Sequence, residues 1–310
     1  MDKIAFVFAG QGAQYSGMGR DLYENSSAAR AVTEMAESIL PGTKRLCFEA
    51  DKEELSVTKN TQPALFVMNL ACAAALDEAG VRCDCAAGFS LGEVPAAAYC
   101  GLLGREDAFA YVVKRGLFMH EAALETPGAM AAVLRISNGQ VEELCSEFER
   151  IYPVNYNCHG QVTVAGSADE MDAFIKRVAD SGGKAIRLAV SGAFHSPFME
   201  KAADRLLGIL EKTEFREPVI PLYSNLTALP LDKESAPSLM ARQVKSPVRW
   251  EQTILNMCED GVTVFIEVGA GKVLSGLIKK IAPQAGLYNA EKYEDIQRIS
   301  SAFKENDYDA

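Results

Sequence analysis

The chain has 310 residues, 48% of them hydrophobic, enough to bury a substantial core in one large domain or two modest ones without metal or disulfide staples. Its net charge of -11 and pI near 4.9 argue against generic binding to nucleic acid or anionic lipid. Eight scattered cysteines without a CxxC pair, an N-terminus lacking a secretory signal pattern, and no apolar run near the roughly 18 residues that span a bilayer point to a soluble cytoplasmic protein with free thiols.

The chain opens on a strand, Lys3–Phe8, which runs into the glycine-rich stretch Ala9–Gly19. That stretch is too rich in glycine for a helix and too polar for a core strand, so it reads as a loop that brings backbone close to another group. Helical periodicity follows around 21–40, 61–79 and 105–125, with the apolar run Ala86–Phe89 between the last two. Short strands alternating with longer helices indicate a parallel sheet covered on both faces.

The pattern changes after Thr126-Pro127-Gly128. Strand 129–136, helix 138–150, strands 152–157 and 161–166, helix 168–181 and strand 184–189 follow the order βαββαβ of a ferredoxin-like unit. Beyond Val190-Ser191-Gly192 the earlier pattern resumes: a helix after His195, a strand near 219–224, a helix near 250–259, a strand over 262–268 and a final helix after Gly271. Only Asn306–Ala310 reads as a polar, disordered tail. The fold class is therefore α/β: a large α/β-hydrolase-like domain with a parallel sheet, formed by 1–126 and 191–310, plus an inserted small ferredoxin-like (βαββαβ) domain, 127–190. The default ligand site is a cleft between the two.

Gly88-Phe89-Ser90-Leu91-Gly92 fits GxSxG, in which a serine sits on a sharp turn between strand and helix. An apolar strand precedes it, and Glu93–Tyr99 can begin a helix with Pro95 in its first turn. The helix start and the Leu91 amide would face an oxyanion on an acyl group joined to Ser90. The pentapeptide alone also fits an inert tight turn. A reactive serine needs a base, and the chain offers three histidines. His120 falls on a helix and His159 in a hairpin turn, ordinary surface positions. His195 follows Ser191–Phe194 at a strand-to-helix junction, suited to aiming a ring into a cleft.

Taken together, these residues resemble the malonyl-CoA:acyl carrier protein transacylases, relatives of the acyltransferase domains of fatty acid and polyketide synthases. The resemblance spans almost the whole chain: Phe8–Gln14, Gly88–Glu93, Arg115-Gly116, Pro127–Met130, Asn155–Asn157, Gly160–Val162, Gly192–Ser196, Gln243, Pro247–Trp250 and Glu267–Gly269. It implies Ser90 as nucleophile, His195 as base, and the amides of Gln11 and Leu91 as the oxyanion hole. It implies Arg115 as the partner of the malonyl carboxylate, since a guanidinium makes two parallel hydrogen bonds to that group. A backbone carbonyl near Gln243 would take the second ring proton of His195 in place of a triad acid. Gln243, Asn155 and Asn157 match cleft-lining positions; for the two hairpin asparagines a turn role is equally open.

The implied reaction is ping-pong transfer of malonyl from coenzyme A to the phosphopantetheine thiol of acyl carrier protein, by a monomer, with no metal or cofactor beyond the thioester substrate. Phe89 stands where the family commonly has histidine, which puts an apolar wall beside the acyl group, and Ala270 stands where proline is usual. An esterase or thioesterase shares GxSxG but orders its triad Ser, acid, His toward the C-terminus. His195 has more than a hundred residues after it, against that reading. Two further rivals are a trans-acting polyketide synthase acyltransferase and a carrier-binding subunit that keeps the fold without turnover; intact Ser90, His195, Gln11 and Arg115 speak against the second.

Overall fold

The computed structural model describes residues 2–190 and 192–308. The chain opens with β1 (Ile4–Phe8), buried from Ala5 onward as a strand covered on both faces must be. The region expected as one helix over 21–40 is two, α1 (Arg20–Asn25) and α2 (Ser27–Ile39). Ser26 ends the first with extended backbone (φ -122°, ψ 126°) and caps the second by accepting from the Ala29 amide. Two short helices that periodicity does not reveal, α3 (Thr43–Phe48) and α4 (Lys52–Ser56), lead into α5 (Thr58–Glu78). Nearly every side chain of α5 is buried, so it lacks the polar face that would have marked its full extent. There follow β2 (Cys85–Gly88), a 3-10 turn at Ser90–Gly92, α6 (Glu93–Tyr99) and α7 (Arg105–Glu125), the last with the expected bounds.

The next six elements keep the expected βαββαβ order: β3 (Gly128–Leu134), α8 (Asn138–Ser146), β4 (Ile151–Cys158), β5 (Gln161–Ser167), α9 (Ala168–Asp180) and β6 (Lys184–Arg187). Their strands form an antiparallel sheet in the order β4-β5-β3-β6, with a separate core that includes Val133, Leu144, Val164 and Phe174. Ser137 and Gln140 start α8 with a capping box, which sets where the crossover leaves β3.

The chain then returns through α10 (Glu200–Leu210), β7 (Leu222–Tyr223), α11 (Ala236–Gln243), α12 (Trp250–Glu259), β8 (Val264–Val268) and α13 (Val273–Ile281). The strand expected over 219–224 shrinks to two residues, because Pro221 has no amide to offer a ladder and Val219 is 80% exposed. The helix after Gly271 is not the last element: β9 (Gly286–Ala290) and α14 (Tyr293–Tyr308) follow. β9 is an edge strand, half-buried until Ala290, and carries little apolar signal. α14 continues to Tyr308 through most of the expected polar tail, of which Asp309 and Ala310 lie outside the described residues.

The larger sheet is parallel throughout, in the order β7-β2-β1-β8-β9. Phe8 pairs with both Gly88 and Val268, and Ala87 pairs with Tyr223, so the loops leaving β1, β2, β7 and β8 all emerge on one edge. Ligand sites of parallel sheets form at this carboxyl edge. The small sheet is stitched beside it: Val248 donates to Val154 O (2.8 Å), and Tyr156 donates to Val248 O (2.9 Å).

Candidate active site

Ser90 owes its place to two glycines. A Cβ on Gly88 would lie 2.0 Å from the carbonyl of Gly92, and one on Gly92 would lie 2.1 Å from Phe8 O, so strand, turn and helix close against each other only without side chains there. Ser90 itself takes φ +52°, and His195 takes φ +62°; they are two of only four non-glycine residues in the left-handed region among the described residues. Strain of this kind gathers where geometry is held for function.

The two side chains meet. His195 Nε2 lies 2.6 Å from Ser90 Oγ, and His195 Nδ1 lies 2.9 Å from the carbonyl oxygen of Gln243. A carbonyl can only accept, so Nδ1 carries the proton and Nε2 presents its lone pair to the serine hydroxyl. Burial, and then the positive charge of Arg115, push the imidazole down to about 4, against a smaller upward pull from the Gln243 carbonyl. The ring is therefore neutral near pH 7 and fit to accept a proton.

Arg115 reaches the same point from α7. Its buried guanidinium donates from Nη1 to Gln62 Oε1 (2.8 Å) and from Nη2 to Gln243 Oε1 (2.8 Å), with Ser90 Oγ 3.4 Å from Nη2. Gly116 lets α7 press against α5: a Cβ there would sit 3.2 Å from Gln62 Cβ, the close crossing that brings Gln62 under Arg115. The Nε–H has no partner among the described residues. A buried cation with an unspent donor beside the Ser90 hydroxyl is suited to binding a carboxylate.

Gln243 ties the three together, donating from Nε2 to Ser90 O (2.8 Å) while its Oε1 and its backbone carbonyl serve Arg115 and His195. A cavity of about 120 Å³ opens in front of Ser90. Its walls are mostly apolar, with Phe89, Met119, Met130 and Phe194 among them, and Gln11 and Asn155 add polar groups. Phe89 is braced edge-on against Trp250, with centroids 5.4 Å apart. Neither the Gln11 nor the Leu91 amide donates to a protein acceptor among the described residues. Asn155 Oδ1 is buried and has no partner there either.

Asn157 is not brought in. Its amide nitrogen donates to Thr163 Oγ1 (3.1 Å), and it does not line the cavity. The register of β4 against β5 shifts between Tyr156 and Cys158, a bulge at Asn157, and its side chain is spent on Thr163, the residue that pairs with Asn155. His120 and His159 likewise stand outside the cavity.

The acyl transferase domain family matches residues 5–298. The chain belongs to that family. It is 38% identical over 318 residues, the full length of both chains, to the malonyl CoA-acyl carrier protein transacylase of Bacillus subtilis (strain 168). Among solved structures it is similar to the malonyl CoA-acyl carrier protein transacylase of Clostridium perfringens, with TM-score 0.95 and 35% identity over 99% of this chain and 98% of the other. It is also similar to a malonyl-transacylase solved in complex with its type II polyketide synthase acyl-carrier protein, with TM-score 0.93 and 31% identity over 97% of this chain and 99% of the other.

Three polar residues of this acyl transferase site carry no local sequence signal: Gln62, Glu93 and Asn225. Gln62 lies inside a helix buried on all sides. Glu93 begins α6, where a carboxylate reads as an ordinary first-turn residue, yet it is 1% exposed and accepts from the Asn225 amide (2.6 Å). Burial raises its carboxyl to about 7, against smaller downward effects of that amide and of Arg115. Asn225 follows the short β7 and becomes visible only once β7 is seen beside β2.

Proposed function

We propose that this acyl transferase carries a malonyl group on Ser90 from coenzyme A to the pantetheine thiol of an acyl carrier protein, the supply step of fatty acid synthesis. The observation that carries the reading is the 2.6 Å contact of Ser90 Oγ with His195 Nε2 beneath a buried guanidinium. Ser90 Oγ attacks the thioester carbonyl while His195 Nε2 takes its proton. The Gln11 and Leu91 amides receive the developing oxyanion; the Ser90 amide is already engaged by Asn225. Collapse breaks the carbon–sulfur bond, His195 gives the proton to the departing coenzyme A thiolate, and the malonyl ester remains. The carrier thiol then reverses the sequence.

Arg115 would hold the malonyl carboxylate, and Asn155 and Gln243 would line the substrate's path. Asn157 supports the sheet that carries Asn155. Thioester exchange asks only for position, base and oxyanion donors, so we assign no cofactor. We read residues 127–190 as a small inserted domain and 1–126 with 191–310 as the catalytic one, supported by the separate pairing of β3 to β6. No helix of the described residues is long and apolar enough to cross a membrane, and we place the enzyme in the cytoplasm as a monomer. The similarity to a polyketide synthase transacylase makes a polyketide carrier the second reading.

Intact-protein mass spectrometry after brief exposure to malonyl-CoA tests the proposal. A malonyl adduct is expected on the wild type, absent from Ser90→Ala, stable to water and discharged by holo acyl carrier protein. Rapid loss to water would make the protein a hydrolase, and absence of any adduct would end the enzymatic reading. Discharge rates to fatty acid and polyketide carriers, compared side by side, choose between the two supply roles.

A further inference from the structure

The Ser90 backbone is held by a residue that does not line the cavity. We propose that Asn225 is a positioning residue for acyl transfer, fixing Ser90 in the left-handed backbone conformation that aims Oγ at His195. The inference rests on the acyl-serine reading above.

Asn225 is wholly buried and spends every hydrogen-bonding group it has on the elbow and its surroundings. Its Oδ1 accepts from the Ser90 amide (2.6 Å), and its Nδ2 donates to the Gly88 carbonyl (2.5 Å). Its own amide donates to Glu93 Oε2 (2.6 Å), and its carbonyl accepts from the Arg249 amide (2.9 Å). One residue thus grips the end of β2, the nucleophile and the first residue of α6. Gln243, whose carbonyl fixes the tautomer of His195, lies 3.4 Å away through Nε2 to the same Oδ1. The chemistry of the two side-chain contacts admits little else. The Ser90 N–H can only donate and the Gly88 carbonyl can only accept, so the grip needs an acceptor and a donor on one short planar group.

The anchor is itself rigid. Ser224 donates to Leu229 O (2.9 Å), Ala228 donates to Ser224 O (2.9 Å), and Asn256 Nδ2 on α12 donates to Ala228 O (2.8 Å). Ala228, at φ +61°, closes this turn. Losing the grip frees the Ser90 backbone to relax from a conformation that a side chain disfavours. It also frees the Ser90 amide to compete with the Leu91 amide for the acyl oxygen. Arg115 keeps its bond to Gln62, and Gln243, which bridges it to Asn225, keeps the Ser90 carbonyl, so substrate binding is expected to change little.

The test compares wild type, Asn225→Ala and Asn225→Asp in single-turnover acylation by malonyl-CoA, with KM and melting temperature measured alongside. For Asn225→Ala the acylation rate is expected to fall on the order of 100-fold, the cost of misplacing a reacting atom by about 1 Å. KM for malonyl-CoA should stay within about threefold. For Asn225→Asp the ionised carboxylate still accepts from Ser90 but repels the Gly88 carbonyl, whereas the protonated acid donates to it. Its acylation rate should therefore rise relative to wild type as pH falls. The ionisable groups facing this position are Glu93, Arg115 and His195, all present in the wild-type profile that serves as baseline.

An Asn225→Ala enzyme acylated within threefold of the wild-type rate, even with a lowered melting temperature, would reduce Asn225 to a structural residue and overturn the proposal. If Asn225→Ala does not fold, an Asn225→Asp profile parallel to wild type overturns it instead. A wild type that forms no adduct sinks the acyl-serine reading and this inference together, whereas normal wild-type acylation with an unaffected variant sinks this one alone.

Discussion

At the scale of single residues, the site is a set of opposed charges and lone pairs, and its pH behaviour follows from them. As the proposed base His195 would work only as the neutral ring, and burial with the Arg115 charge holds its pKa near 4. The acid limb of kcat/KM for malonyl-CoA is therefore expected well below the ordinary imidazole value of 6.5, with activity lost only as pH falls toward 4 and the ring protonates. Arg115→Ala removes the lesser of the two causes and should move that limb upward, though not back to 6.5. The same variant should lose malonyl transfer far more than acetyl transfer, by about 2–5 kcal/mol in kcat/KM, because only malonyl carries the carboxylate. Equal losses with the two thioesters would remove Arg115 from its role. Glu93 titrates in the other direction. Its carboxyl is raised from 4.5 to about 7 in the fold, so the native state holds the proton more tightly than the unfolded chain. Stability should fall as pH rises through that window, by an amount on the order of 3 kcal/mol. His195, lowered from 6.5 to about 4, contributes the opposite slope, so the readout is a difference: in denaturant titrations the stability of Glu93→Gln relative to wild type should rise steadily from pH 4 to 8. Ser90 and His195 could be picked out from local pattern, the GxSxG elbow and a strand-to-helix junction, whereas Arg115 and Gln11 were named only through the family resemblance. Glu93, Gln62 and Asn225 were not legible, since each acquires its meaning only from a neighbour distant in the chain.

At the scale of elements, the elbow shows how little space the chemistry leaves. Gly92→Ala would drive a methyl into the Phe8 carbonyl, backbone against backbone, with no flexible side chain to yield. The expected cost is about 1–3 kcal/mol of stability, together with a large fall in acylation rate, measured by thermal unfolding and by the Ser90 adduct. Legibility varied among elements for physical reasons. α7 and the βαββαβ run could be read because their caps and alternation are local. The break at Ser26 was hidden by apolar residues that keep helical phase across it, and β9 by its place at a half-exposed edge. α11, which delivers Gln243, has only eight residues and begins Ala236-Pro237, a signal shared with turns. For Asn157 the hairpin sequence left a local role as open as a place in the cleft, and its bond to Thr163 beside a bulge of β4 is of the local kind.

At the scale of the whole molecule, the two sheets differ in how deeply they are embedded. β1 is the middle strand of the parallel sheet and wholly buried past Ile4, whereas β6 is an edge strand with most of its residues exposed. Hydrogen–deuterium exchange should therefore find β1 amides opening only with global unfolding and β6 amides exchanging first. Comparable protection of the two would contradict this ordering. The central place of β1 also has a consequence for synthesis. One of its two partners is β2, but the other is β8, paired Ile4 with Val264 through Phe8 with Val268. A ribosome adding about 5–20 residues per second needs on the order of 10–50 s to travel from the first strand to that partner. Throughout that interval the most apolar strand of the sheet has one edge bare, a template for pairing with the wrong chain. The nascent chain thus carries a bare strand edge from the synthesis of β1 until that of β8, and the loop bearing Ser90 gains its finished scaffold only after β8 has been made.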